Sequence, residues 1–303
     1  MSRHPSVPLR PWRPAAVLLL LAVAAAVALT TGRASASPAA KGPGFTPKCT
    51  HLEAFDAMNF PLRPEIDNRF LPMVPGTRTT LEGAVDGVPH QVQFTVTDLT
   101  KLVDGVPVLV IWDTDTSEGE VVESELSFFA QDDDGNVWNL GEYPEEFEDG
   151  EFVGAPSTWI AGQADAEAGI HMPASPEVSR RQYIQGFAPA IDFLDCARVV
   201  EDAQELCVQA GCFGDVLVTH ETNLADPEDG IQSKHHAPGI GIVKIGAVDP
   251  PTGEVLELVA HERLSPDELN AARREALALD GRGYEFGEGY DATSPAKRLK
   301  PDR

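Results

Sequence analysis

Polar and apolar residues alternate over several stretches of this chain with the two-residue period of half-buried β-strands. Residues 91–102 show it most plainly, with Val92, Phe94 and Val96 set against Gln93, Thr95 and Thr97. Residues 79–85 precede this strand, and residues 121–131 read as another. Residues 106–112 are almost continuously apolar, which predicts a central strand buried on both faces. Asp86-Gly87, Asp104-Gly105, the 117–119 segment and Asp134-Gly135 separate the strands; Asp-Gly supplies the positive φ values of a tight turn. The most informative stretch is the hairpin 123–142. Leu126, Phe128 and Phe129 before its turn, and Val137, Trp138 and Leu140 after it, tie the turn to a buried sheet. Five strands joined by short turns predict an antiparallel sheet long enough to curl into an open barrel.

From Tyr143 to Ala190 the periodicity stops, and Gly, Pro and Ala dominate around Phe147, Phe152, Trp159, Ile160, Ile170 and Met172. A structureless stretch of that length predicts a lid or a binding loop. Strand signals return at 196–200, 206–208, 216–221, 240–248 and 255–261, with Pro251-Thr252-Gly253 turning the last pair. Ser265-Pro266-Asp267-Glu268 then opens a helix with a capping box. Leu269, Ala272, Ala276 and Leu279 make its apolar stripe, and Gly281 is read as its stop. The expected class is mainly β (α+β): a curved antiparallel sheet or open half-barrel, with a long irregular insertion and a C-terminal helix. The expected organisation is a signal peptide (1–36), a disordered linker (37–47), a β-rich domain (48–264), a C-terminal helix (265–281) and a flexible tail (282–303).

Composition adds a compartment. Arg3, Arg10 and Arg13 precede an apolar run over 15–29, followed by Ala34-Ser35-Ala36, the pattern of a secretory leader cleaved after Ala36. The run is shorter than the roughly 20 residues that span a bilayer. Cleavage removes four of the 23 basic residues and none of the 48 acidic ones, which leaves a net charge of −29. Such a balance excludes nucleic acid and anionic membrane as partners and favours cationic ones. Between Lys101 and Arg180 there is no Lys or Arg but there are nineteen Asp and Glu. With no basic neighbours in sequence these carboxylates are solvated, paired with distant basic residues or bound to cations, and the commonest outcome, a solvated acidic face, is the one expected.

An even count of four cysteines in an exported chain predicts two disulfides. A turn at Glu201-Asp202 would place Cys196 opposite Cys207, leaving Cys49 to pin the N-terminal arm to Cys212. Three connectivities remain open on sequence alone. Asp132, Asp134 and Asn136 crowd the hairpin turn with the oxygen donors that calcium takes, and Glu142 or Glu123 would add to them. Aligning Gly135 with the fixed glycine of an EF-hand places Ala130 and Gly141 at ligand positions, so the turn is not an EF-hand. His235 and His236 are adjacent and point to opposite faces of a strand. His220-Glu221 and His261-Glu262 lack the second histidine of a zinc-protease helix. No G-x-S-x-G and no phosphate-cradling glycine loop is present, and Gly239 to Gly246 alternates like a strand rather than a dinucleotide fingerprint.

At AQDDDGNVWNLGE, STWIAG, AGIHMPASP and KHHAPGIGIVK the chain resembles a family of uncharacterised exported bacterial proteins. The resemblance covers most of residues 66–261, from an Ile-Asp-Asn arm (66–76) through the Ala130 to Trp138 hairpin to the Ala237 to Lys244 strand. The closing strand is similar to that of half-barrel periplasmic proteins of the lipoprotein-carrier kind. The resemblance implies export and a curved sheet, and no activity; the chain departs from the family pattern in its cysteines and at Arg180-Arg181-Gln182-Tyr183. The expected function is that of a secreted, non-enzymatic protein, its curved sheet binding an apolar ligand or a protein partner beneath the 143–190 segment. The alternative is a metal-dependent hydrolase, or a calcium-stabilised envelope protein, using the acidic turn. No cofactor other than calcium is expected, and no stable membrane insertion after cleavage.

Overall fold

The computed structural model describes Cys49 and residues 52–226, 230–250 and 253–300. The leader, the 37–47 linker and the turn residues Pro251 and Thr252 lie outside the described residues. The described residues form fifteen strands, of which the first ten are β1 (Thr77–Val85), β2 (Val88–Val103), β3 (Val106–Ser117), β4 (Glu120–Gln131), β5 (Val137–Glu148), β6 (Glu151–Gly154), β7 (Trp159–Ile160), β8 (Glu167–Met172), β9 (Tyr183–Ala188) and β10 (Phe193–Val208). Then follow β11 (Gly211–Asn223), β12 (Ile231–Ala237), β13 (Gly241–Asp249), β14 (Glu254–Arg263), helix α1 (Pro266–Phe286) and β15 (Lys297–Arg298).

The sheet closes. β1 pairs with β2 on one side and with β14 on the other, so β1, β14 to β8, and β5 to β2 form a twelve-stranded antiparallel barrel. This corrects the expected open half-barrel or curved sheet. The β1–β14 register (Leu81 opposite Leu258, Gly83 opposite Leu256) joins residues far apart in sequence, and no local period encodes such a pairing. Closure also removes the exposed sheet edges that an open sheet must protect.

The Asp-Gly turns behave as read. Asp86-Gly87 and Asp104-Gly105 take positive φ at both residues, as do Glu118-Gly119 and Asp149-Gly150. At the 123–142 hairpin the turn is longer than the two residues expected, running through residues 132–136 with Gly135 alone at positive φ. The irregular insertion is also corrected. Residues 143–190 contain the end of β5, two short strands laid on β5 outside the barrel (β6, β7), and barrel strands β8 and β9. They escape the period-2 reading because β8 and β9 are only six residues long and put the polar side chains of His171, at the cavity, and Gln185, which is buried, where apolar ones would mark the period.

β3 is buried on both faces, as its apolar run predicts. Val106, Val108 and Val110 pack outside the barrel with Leu126, Phe128, Ala276 and Leu279 beneath α1. Leu109 and Ile111 face inward and meet the N-terminal arm, whose Ile66, Leu71 and Met73 close that end with Phe129, Val137 and Met172. Asn68 fixes the arm there: its amide donates to the Gly135 and Pro173 carbonyls, while its Oδ1 accepts from the Phe70 and Leu71 N–H groups.

α1 begins as read, with the Ser265–Glu268 capping box formed in both directions. It runs through Gly281 to Phe286, and the tail is packed rather than loose. Tyr290 is fully buried, and a Cβ at Gly283 would lie 2.5 Å from its ring, so glycine is required at that close approach. Asp280 accepts from Lys101 Nζ at 2.7 Å, from Tyr290 Oη and from the Ala296 N–H, and the Lys101 ammonium sits 3.7 Å from the Tyr290 ring centre. This tertiary packing outweighs the helix cost of Gly281, about 1 kcal/mol.

The disulfides are Cys49–Cys196 and Cys207–Cys212, not the expected Cys196–Cys207 and Cys49–Cys212. β10 continues through Glu201-Asp202 with bulges but no turn, and the hairpin turns after Val208 instead, bringing Cys207 opposite Cys212. Cys196 packs in an outer cluster with Ile184 and the arm's Cys49. Loop-closure entropy then ranks the two bonds: separations of 147 and 5 residues correspond to about 5 and about 2 kcal/mol. Cys49→Ser is expected to lower the guanidinium unfolding midpoint clearly more than Cys212→Ser. Equal shifts would contradict that ranking.

Candidate functional site

The inner face of the barrel changes character along β3. Leu109 and Ile111 are followed on the same face by Asp113 and Asp115. The register sets Asp113 opposite Glu125 and Asp115 opposite Glu123 on β4, and Ser127 opposite Glu142 on β5. Asp195 on β10, Glu221 on β11 and Glu254 on β14 complete a set of inward carboxyl groups. The expected solvated acidic face is therefore corrected for these residues. The signal was present in the sequence: Asp113 and Asp115, and Glu123 and Glu125, keep the period of the apolar inward positions beside them.

Like charges at directly opposed strand positions repel, and burial removes the water that would screen them. Two lysines and no arginine are buried among the described residues, and Lys101 lies outside under α1. Lys234 on β12 is the buried cation among the inner carboxyls. Its Nζ is 2.6 Å from Glu221 Oε2. Burial pushes Glu221 up, but Lys234 outweighs it and holds the carboxyl at about 2. The other acids behave in the opposite way. Burial pushes Asp113 and Asp195 up to about 8 and Glu254 up to about 7. Glu123 and Glu125 are also held well above the usual carboxylate range, by burial and by the neighbouring carboxylates. The interior therefore holds the ionised Glu221–Lys234 pair among carboxyl groups whose protonated forms burial favours.

Hydrogen bonds fix several of these groups. Ser127 donates to Asp113 Oδ2 at 2.9 Å, and His90 pairs with Asp115. Glu142 accepts from Asn139 Nδ2 at 2.6 Å and from Trp159 Nε1 at 2.9 Å. Gln232 donates to Glu254 at 2.6 Å and Thr219 to Glu221 at 2.9 Å. Asp113 Oδ1, Glu123 Oε2 and Glu125 Oε1 are buried without a hydrogen-bond partner. Burial pushes His171 down to about 4 and His236 down to about 3, so both are neutral imidazoles.

Between this polar layer and the N-terminal arm lies a cavity of about 100 Å³, large enough for a small molecule's head or several waters. Its wall is apolar, formed by Met73, Phe94, Val96, Ile111, Phe129 and Ile242. Its floor carries Asp113, Glu142, His171, Asp195, Glu221 and Lys234. Thr79 and His261, 3.0 Å apart, lie at its exposed margin.

The residues singled out at the acidic turn lie elsewhere, at the hairpin tip. Asp132 Oδ1 accepts from the Asp134 and Asn136 N–H groups, and its Oδ2 accepts from Asn136 Nδ2 and Trp138 Nε1. Asn136 Oδ1 accepts from the Ala174 N–H. Asp132 and Asn136 thus organise the loop and dock the 173–176 segment on it. Glu123 and Glu142, named as neighbouring donors, face the barrel interior. Among the described residues no three His, Cys, Asp or Glu side chains converge as a metal ion requires. His235 and His236 do diverge: His236 is buried 3.3 Å from Thr219 Oγ1, and His235 is half-buried near Ser233. Sequence reading passed over His171, Asp195 and Lys234, because nothing local marks an inward polar residue in a short or bulged strand.

No family model and no curated protein matches the chain. Among solved structures it is similar to a Bacteroides fragilis protein named for inferred export and a YmcC-like fold, at 14% identity and a TM-score of 0.38, covering 64% of this chain and 99% of that one. It is also similar to an inferred lipoprotein from Parabacteroides distasonis, at 10% identity and a TM-score of 0.30, with the same 64% and 99% coverage.

Proposed function

We propose that this chain is an exported, non-enzymatic binding protein that holds a small molecule inside its closed barrel. The observation that carries the reading is the cavity itself, apolar on one wall and polar on its floor, enclosed by strands and capped by the N-terminal arm. Sites of this kind bury a ligand's apolar body and orient it through a few polar groups. Export is supported by the two disulfides, which persist in oxidising compartments, and by the leader-like N-terminus.

The test is uptake of three probes with the same tail: 1-hexanol, hexylamine and hexanoate, followed by calorimetry. At least one is expected to bind the wild-type protein, and Ile111→Trp, which fills the wall, is expected to weaken that binding at least tenfold while far-UV circular dichroism stays the same. Binding of none of the three by the folded protein would reject an internal ligand site.

A further inference from the structure

Lys234 shows how this barrel accommodates a positive group. Its ammonium, buried within the polar layer, is held 2.6 Å from Glu221, and Glu221 is ionised there. Asp113 and Asp195 line the same cavity, and neither makes an ion pair among the described residues. Asp113 is 5% exposed, and its Oδ1 is buried with no hydrogen-bond partner. The other titratable and charged groups of the inner face are His90, Asp115, Glu123, Glu125 and Glu142 on β2 to β5, and His171, Asp195, Glu221, Lys234, His236 and Glu254 on β8 to β14. Lys234 is the only lysine or arginine among them, and it is already engaged by Glu221. An anionic head would meet a surplus of carboxyls. A hydrated inorganic ion would gain nothing from the wall of Phe94, Ile111, Phe129 and Ile242.

We infer that the cavity takes a primary-amine ligand, its ammonium placed among Asp113, Glu142 and Asp195 as Lys234 is placed against Glu221, and its carbon chain laid along the Phe94–Ile242 wall. The inference rests on the internal-site reading above and names the chemical class of the ligand. Binding is an exchange: the ammonium enters charged, and a carboxyl proton leaves to solvent, so the net charge of the interior is unchanged. Burial keeps Asp113 and Asp195 protonated up to about 8, while an alkylamine keeps its charge to higher pH. Affinity therefore rises with pH until the carboxyl that gives up its proton is already ionised.

The test is calorimetry of hexylamine against 1-hexanol, in two buffers of different ionisation heat. Hexylamine is expected to bind at least tenfold tighter than 1-hexanol at pH 8, to release about one proton per ligand at pH 6.5, and to gain at least tenfold in affinity from pH 6 to pH 8. Asp113→Asn, or Glu142→Gln should the first variant fail to fold, is expected to remove most of that preference. The proton count requires only the wild-type protein. Hexylamine binding no tighter than 1-hexanol, or binding without proton release, overturns the amine assignment and leaves the internal site standing. Competitive displacement of hexylamine by millimolar calcium also overturns it, in favour of an inorganic cation. Failure of every hexyl probe overturns the internal site itself.

Discussion

Raising the pH from 5 to 8 is expected to destabilise the barrel steeply, and Asp113→Asn is expected to flatten that dependence. Asp113 and Asp195 have folded-state values of about 8 and Glu254 of about 7, all above the ordinary carboxyl range, because burial disfavours their charged forms. Their protonated forms contribute stability that is fully present below the unfolded values near 4. That stability is lost as pH rises toward the folded values. Over this window the folded state binds more protons than the unfolded one, so the free energy of unfolding falls by about 1.4 kcal/mol per pH unit for each such group. The large negative net charge acts in the same direction. Asn at position 113 keeps the shape and removes one titration, which isolates the interior from the surface. Guanidinium unfolding at half-unit pH steps reads the slope directly. A wild-type stability that is flat or rising from pH 5 to 8 would mean that these carboxyls are solvated.

The second large effect is expected for Lys234→Met. Removing the ammonium leaves Glu221 buried beside other carboxyls, and breaking a buried ion pair at one partner costs about 3–5 kcal/mol. That is a large share of the roughly 5–15 kcal/mol by which a domain is stable. The charge logic then predicts a rescue: Lys234→Met combined with Glu221→Gln should regain most of the loss, since no uncompensated charge remains. A double variant as unstable as the single one would show that Lys234 acts through packing instead. The pair also has its own pH signature. Glu221 is held down at about 2, so its contribution is present above its unfolded value near 4.5 and is lost as pH falls toward 2. This acid limb should vanish in Lys234→Met, while the neutral-pH limb set by Asp113, Asp195 and Glu254 remains. The two limbs place maximum stability near pH 4 to 5.

The local devices of this fold were legible in the residues. Asp86-Gly87 and Asp104-Gly105 specify their turns because few residues accept positive φ there. The 106–112 run specifies a strand covered on both faces, and Ser265 to Glu268 specifies a capped helix start. These are short-range effects, set by backbone sterics, side-chain period and hydrogen bonds between near neighbours. The cysteine count likewise predicts two disulfides, yet their partners depend on where β10 turns.

Barrel closure, the disulfide partners and the site were decided by tertiary structure. Whether β1 meets β14 depends on the summed twist and register of every strand between them, and no window of sequence contains that sum. The site depends on closure in turn. Asp113, Glu142, Asp195, Glu221 and Lys234 come from five different strands, and each by itself reads as an ordinary polar residue of a half-solvated sheet. On an open sheet their carboxyls would face water and ionise. Closing the sheet removes that water, and the same residues become a proton-holding interior around one lysine.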